Sequence, residues 1–69
     1  MSRSELTIRG RLAESAARLI ASRFDAVSTH EADALTTLIV EGIDPAAERA
    51  LLNLLWDTGH DVVGMQSTR

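Results

Sequence analysis

The chain has 69 residues, of which 45% are hydrophobic and 25% charged, with no cysteine and a formal net charge of −3 at pH 7. This composition is typical of one small globular domain, and it excludes disulfides and thiolate metal sites. No apolar run approaches the about 18 residues that cross a bilayer, so we expect a cytoplasmic protein, with a core small enough to favour a partner subunit.

The charges are distributed unevenly along the chain. Residues 1–23 contain five arginines and two glutamates, a net charge of +3, whereas residues 24–69 contain two arginines and eight carboxylates, a net charge of −6. All seven cations are arginines. Arginine suits interfaces because it forms bidentate pairs with carboxylates and phosphates, although an arginine-rich codon usage accounts for the same bias.

The first predicted element is a helix over about residues 4–23. At 100° per residue its apolar side chains fall on one face, and Glu14 and Arg18 form a favourable i,i+4 pair on the other. The start of the helix stays open, because residues 6–8 could be extended and Gly10 weakens a continuous helix. The apolar face contains Ile8, Leu12, Ala16, Leu19 and Ile20.

A second helix is predicted over about residues 29–41. Ser28 and Glu31 have the spacing of a capping box, and Gly42 has the position of a residue that ends a helix. The apolar stripe of this helix comprises Ala32, Leu35, Leu38 and Ile39.

The third predicted helix covers about residues 45–58, with Asp44 as its cap and Pro45 in its first position. Its apolar residues occupy about two-thirds of the circumference, more than one neighbouring helix covers. A homodimer that buries Leu52 and Trp56 would explain this width, and a fully central helix in a monomer is the alternative. Residues 60–69 are read as a tail or a short strand.

Together these elements predict an all-α, three-helix domain. Its second and third helices form a helix-turn-helix-like pair, and two copies form an intertwined homodimer. The predicted dimer interface consists of Leu12, Leu19, Phe24, Leu52 and Trp56.

The stretch EGIDPAAERALL, residues 41–52, resembles the turn of repressor helix-turn-helix motifs. A helix that reads DNA needs cations toward the phosphates, yet this one offers Asp44, Glu48 and the single cation Arg49. Specific DNA binding is therefore not expected. A helix-turn-helix DNA-binding repressor of phage or plasmid origin is kept as the alternative, with Arg9, Arg11 and Arg18 of the first helix as phosphate contacts.

Catalytic and metal chemistry is not indicated. His60 and Asp61 could act as a base and its orienting group, and His30 with Asp33 could share a metal on a helix. Neither pair has a nucleophile, a third ligand or a phosphate-binding glycine loop. We predict no enzyme, no metal and no cofactor.

In length, acidic charge and the helical geometry predicted across residues 28–59, the chain resembles small phage-encoded inhibitor proteins, such as the anti-quorum-sensing anti-activators of Mu-like phages. The resemblance implies a dimer in the cytoplasm of a bacterial host that blocks the DNA-binding domain of a LuxR-type transcriptional activator. It also implies a second target, a type IV pilus assembly ATPase. An acidic surface would attract such a cationic domain, so we predict partner binding by Glu31, Asp33, Glu41, Asp44 and Glu48.

Overall fold

The computed structural model describes residues 2–24 and 26–68, and it contains both helices and strands. The prediction of an all-α domain is therefore wrong. In chain order the elements are β1 (Arg3–Arg9), α1 (Glu14–Arg23), β2 (Ala26–Ala32), β3 (Leu35–Glu41), α2 (Pro45–Asp57) and β4 (Val62–Thr68).

The four strands form one antiparallel sheet in the order β2-β3-β1-β4. Each helix thus connects two strands that have a third strand between them, which is the split β-α-β arrangement of ferredoxin-like folds. Both helices pack against the same face of the sheet, because the buried residues of α1, α2 and the strands form one core cluster. No helix formed by residues 2–24 and 26–68 covers the other face of the sheet.

The first half of the predicted helix 1 is the strand β1. Its side chains alternate between buried and more exposed positions, with Ser4, Leu6 and Ile8 facing the helices. This period of two belongs to a strand, and the same residues satisfied the helical pattern only because Leu12 and Leu19 follow at helical spacing. Gly10 ends the strand with a positive φ of 78°, and α1 begins four residues later.

The predicted helix 2 is wrong throughout, because residues 26–41 form a hairpin. β2 and β3 pair from Ala26↔Glu41 to Ala32↔Leu35, and Asp33 and Ala34 form the two-residue turn, both with positive φ. Ser28 and Glu31 lie inside β2 and do not cap a helix. The β-branched run Thr36, Thr37, Ile39 and Val40 favours the extended conformation.

Helix α2 confirms the third predicted helix. It begins at Pro45, and the Asp44 carboxylate accepts a hydrogen bond from the Ala47 N–H at 2.7 Å. Because the strand β3 precedes it, α2 is not the second helix of a helix-turn-helix motif, and that prediction is wrong. Of the two possibilities for residues 60–69, the strand is the one that forms, as β4.

The core lies between the helices and the sheet. α1 contributes Ala16 and Ile20, and α2 contributes Leu51, Leu54 and Leu55. The strands oppose them with Leu6, Ile8, Leu38 and Val40. Each fully buried leucine or isoleucine side chain stabilises the fold by about 1.5–3 kcal/mol. Neither helix in the described residues is long and apolar enough to cross a membrane.

Candidate functional site

The sheet surface opposite the helices, called the open face from here on, is the first candidate site. The strand register assigns residues to it, because every second side chain of a strand points to the same face. The open face consists of Arg3, Glu5, Thr7 and Arg9 on β1, Leu35, Thr37, Ile39 and Glu41 on β3, Ala26, Ser28, His30 and Ala32 on β2, and Gly64, Gln66 and Thr68 on β4.

The middle of the open face contains small, uncharged residues and one carboxylate, Glu5, which lies between Ile39 and Gln66. Thr7 and Thr37 lie opposite each other with their Oγ1 atoms 3.4 Å apart, and Gly64 is the neighbour of Thr7 on β4. Ile39 is half-buried on the same face, beside a shallow depression of about 390 Å³. Small side chains here allow another surface to approach the sheet closely.

The charges of the open face sum to zero, and apart from Glu5 they lie at its two ends. Arg3 lies opposite Glu41 in the strand register at one end, and at the other Arg9 Nε lies 3.1 Å from Asp61 Oδ2. Surfaces that bind single-stranded nucleic acid combine cations with aromatic stacking side chains. Among its described residues the open face has no phenylalanine or tryptophan, and its two arginines are offset by Glu5 and Glu41. A centre with few charges and a charged rim is instead typical of protein interfaces.

A second surface lies between helix α2 and strand β4, and we call it the α2–β4 surface. It is a groove of about 450 Å³ lined by Pro45, Glu48, Arg49, Leu52, Asn53, Trp56 and Met65. Trp56 is 55% exposed and Met65 is 50% exposed. Large apolar side chains that lie together at the surface mark sites of interaction.

The structure does not bring the five predicted partner-binding carboxylates together. Glu31 and Asp33 lie at the hairpin end of β3, whereas Glu41 and Asp44 follow its other end. A seven-residue strand separates the two groups by about 20 Å. Glu31 is moreover paired with Arg11 at 3.4 Å.

Glu48, the fifth of these carboxylates, is engaged inside the domain. Its Oε2 atom accepts hydrogen bonds from the hydroxyls of Ser4 on β1 and Ser67 on β4. Ser4 is buried, so this carboxylate satisfies a hydroxyl that water does not reach. Glu48 therefore joins α2 to two strands.

The predicted dimer residues are divided between the core and two surfaces. Leu52 and Trp56 lie together in the α2–β4 surface. Leu12 and Phe24 are partly buried and packed against the core, and Leu19 is exposed in the groove between α1 and α2. The five residues therefore do not share one patch.

The two histidines occupy unrelated places. His60 Nε2 accepts a hydrogen bond from the Ala13 N–H at 3.0 Å, so its proton lies on Nδ1, which donates to Thr58 Oγ1 at 2.9 Å. Asp61 pairs with Arg9, and the side chain of His30 lies on the open face. Among residues 2–24 and 26–68 no three histidine, aspartate or glutamate side chains are grouped so that they could hold a metal ion.

Comparison of the chain with protein families, with curated proteins and with solved structures gives no match. Sequence reasoning missed the open face, although the alternation of polar residues Arg3, Glu5, Thr7 and Arg9 with apolar neighbours was a signal for it.

Proposed function

We propose that this chain is a non-enzymatic protein that acts by binding another protein through its open face. The observation that carries the proposal is the set of small or apolar residues Thr7, Thr37, Ile39 and Gly64 in the middle of that face, beside the single carboxylate Glu5. A folded protein that covers this centre has to desolvate one charge, Glu5, which a cation of the partner can pair.

The partner that we propose is a bacterial regulatory protein, and specifically the DNA-binding domain of a LuxR-type activator, with inhibition as the outcome. The resemblance to phage anti-activators in length and acidic charge suggests this partner, together with the pilus assembly ATPase as a second one. The net charge of −3 supports it, because a DNA-binding domain is cationic and long-range attraction raises the rate of encounter. Such an encounter takes place in the cytoplasm of the bacterial host.

A helix-turn-helix repressor is not proposed, because α2 follows the strand β3. The balanced charges of the open face also offer no cationic surface for phosphates.

The test introduces a large cation into the centre of the open face. Thr37→Arg should weaken binding to a purified LuxR-type DNA-binding domain by at least about tenfold, measured by calorimetry, because its long side chain prevents close approach and its charge repels a cationic domain. Thr29→Arg is the matched control, since Thr29 lies next to this position on β2 but on the opposite face of the sheet. It should bind like the original chain.

Equal binding by both variants would assign the interaction to another surface. If the purified domain does not bind at all, a bacterial lysate replaces it as the source of partners. The proposal then requires proteins that the original chain and Thr29→Arg retain and Thr37→Arg loses, and the absence of any such protein contradicts it.

A further inference from the structure

Strand β4 is an edge of the sheet, and after a register shift between Val62 and Gly64 it pairs regularly with β1 over residues 64–68. Natural edge strands are commonly blocked by charged side chains or proline, which prevent another strand from pairing with them. The seven residues of β4, VVGMQST, include neither. The opposite edge strand, β2, contains Glu31. The two edges are thus chemically different, and only β4 is neutral along its length.

The backbone direction of β4 follows from the hydrogen bonds of β1. Gly10 N–H donates to Ala34 O on the β3 side at 2.7 Å, whereas Arg9 N–H donates to Asp61 O on the β4 side at 2.9 Å. Because these directions alternate along a strand, the odd-numbered residues of β1 bond to β4. Their partners are Gly64, Gln66 and Thr68, so Met65 and Ser67 direct their N–H and C=O groups to the free edge.

Apolar side chains flank this free edge. Met65 lies on the helix side of β4, because its partner Leu6 is buried beneath the helices. Together with Leu52 and Trp56 it lines the α2–β4 groove. A strand added at the edge would therefore gain backbone hydrogen bonds and bring its own side chains against this groove.

The α2–β4 surface is complementary to itself. In a two-fold interface each patch meets its own copy, so a patch with a large charge of one sign repels itself whereas a neutral one does not. Arg49, the one cation of α2, lies two turns before Trp56 on the same side of the helix. Antiparallel packing of two such helices places each guanidinium near the indole of the other copy, a favourable cation–π arrangement.

We infer that the α2–β4 surface binds a second copy of this chain. The two β4 strands pair antiparallel and join the sheets into one of eight strands, and the two α2 helices pack across the axis through Leu52, Arg49 and Trp56. The inference is independent of the proposed function, since it uses the edge and the helix side and leaves both open faces uncovered.

The test is the mass of the full chain by sedimentation equilibrium from about 1 to about 500 µM, with proline variants of both edges. Met65→Pro removes an N–H that points to the free edge, and an edge strand tolerates proline at such a position. Because the dimer needs this N–H, the variant should dimerise at least about 100-fold more weakly. Thr29→Pro is the matched control, because Thr29 points outward from β2 by the same alternation. It should dimerise like the original chain.

Trp56→Ala is a second variant that leaves the strand intact, and it should weaken the dimer at least about tenfold. Far-UV circular dichroism shows that each variant is folded. The inference is overturned if the original chain stays monomeric over the whole concentration range. It is also overturned if neither Met65→Pro nor Trp56→Ala weakens the dimer, or if Met65→Pro and Thr29→Pro weaken it equally. A monomer that still binds its partner through the open face would leave the proposed function standing.

Discussion

At the scale of single residues, the turn of the β2–β3 hairpin contains a conformational cost. Asp33 and Ala34 have φ values of 54° and 62°, in the left-handed region. A two-residue turn of this kind matches the twist of the strands, and it favours Asp or Asn followed by Gly. Ala34 has a β-carbon in a conformation that costs L-residues about 1–2 kcal/mol.

Ala34→Gly should therefore stabilise the protein. Glycine adopts positive φ without that cost but loses more backbone entropy on folding, so we expect a net gain of about 0.5–1 kcal/mol in the free energy of unfolding. Urea denaturation at one protein concentration measures it. The matched control is Ala50→Gly, at an exposed position inside α2, which should cost about 1 kcal/mol. A loss of stability in Ala34→Gly would contradict this explanation of the turn.

Glu48 illustrates how a charge that looked available in the sequence is used internally. It follows Asp44 by one helical turn, and an isolated helix would expose both. The sheet instead places Ser4 and Ser67 within reach of the Glu48 carboxylate. Whether a carboxylate meets solvent or a buried hydroxyl thus depends on strands far away in the chain.

At the scale of elements, the parts that could be predicted are those with local causes. α2 was predictable because Asp44 and Pro45 define its start through contacts within four residues. The strands β1 and β3 depend on each other across more than 25 residues, and their register is not visible in either one. Thr36 is buried although it is polar, because its hydroxyl donates to Gly10 O at 2.6 Å, so a pattern of apolar residues does not assign it to the core.

The candidate site was less accessible to sequence reasoning than the fold. The open face is assembled from residues between Arg3 and Thr68, and it exists only once the strand order is known. Leu52 and Trp56 were predicted as a pair because one helix carries both, and the structure keeps them together. The five carboxylates predicted to bind a partner lie on several elements, so no single helix or strand holds them together.

The two histidines should contribute differently to stability, because His60 makes a hydrogen bond between two elements. His60 follows the end of α2, and its side chain accepts a hydrogen bond from the N–H of Ala13, which precedes α1. This bond connects the start of α1 to the end of α2. His60→Ala should lower the free energy of unfolding by about 1 kcal/mol, the usual contribution of such a hydrogen bond. In thermal denaturation this corresponds to about 4–8 °C for a domain of this size.

His30→Ala is the matched control, because this side chain lies exposed on the open face. Its substitution should change the stability by less than about 0.5 kcal/mol. If both substitutions changed the free energy of unfolding equally, the hydrogen bond between His60 and Ala13 would not stabilise the protein.

At the scale of the whole molecule, the two proposed surfaces act together. Pairing through β4 continues the sheet, so the open faces of both copies lie on the same side of the dimer. A two-fold dimer then presents two equal binding faces with fixed spacing, which suits a partner that is itself dimeric. The second contact becomes intramolecular and needs no new residue.

This arrangement predicts that Met65→Pro weakens binding to a dimeric partner on a surface and leaves the affinity for a monomeric partner domain unchanged. Met65 is not part of the open face, so the monomeric variant should bind a monomeric partner domain in solution as tightly as the original chain does. On a surface coated with dimeric partner, the original chain should dissociate about 100-fold more slowly than the variant, because only the dimer can hold two sites at once. Surface plasmon resonance at low and high partner density measures both. Thr29→Pro should retain the slow dissociation, and equal dissociation of all three proteins at high density would show that the two faces cannot engage one partner together.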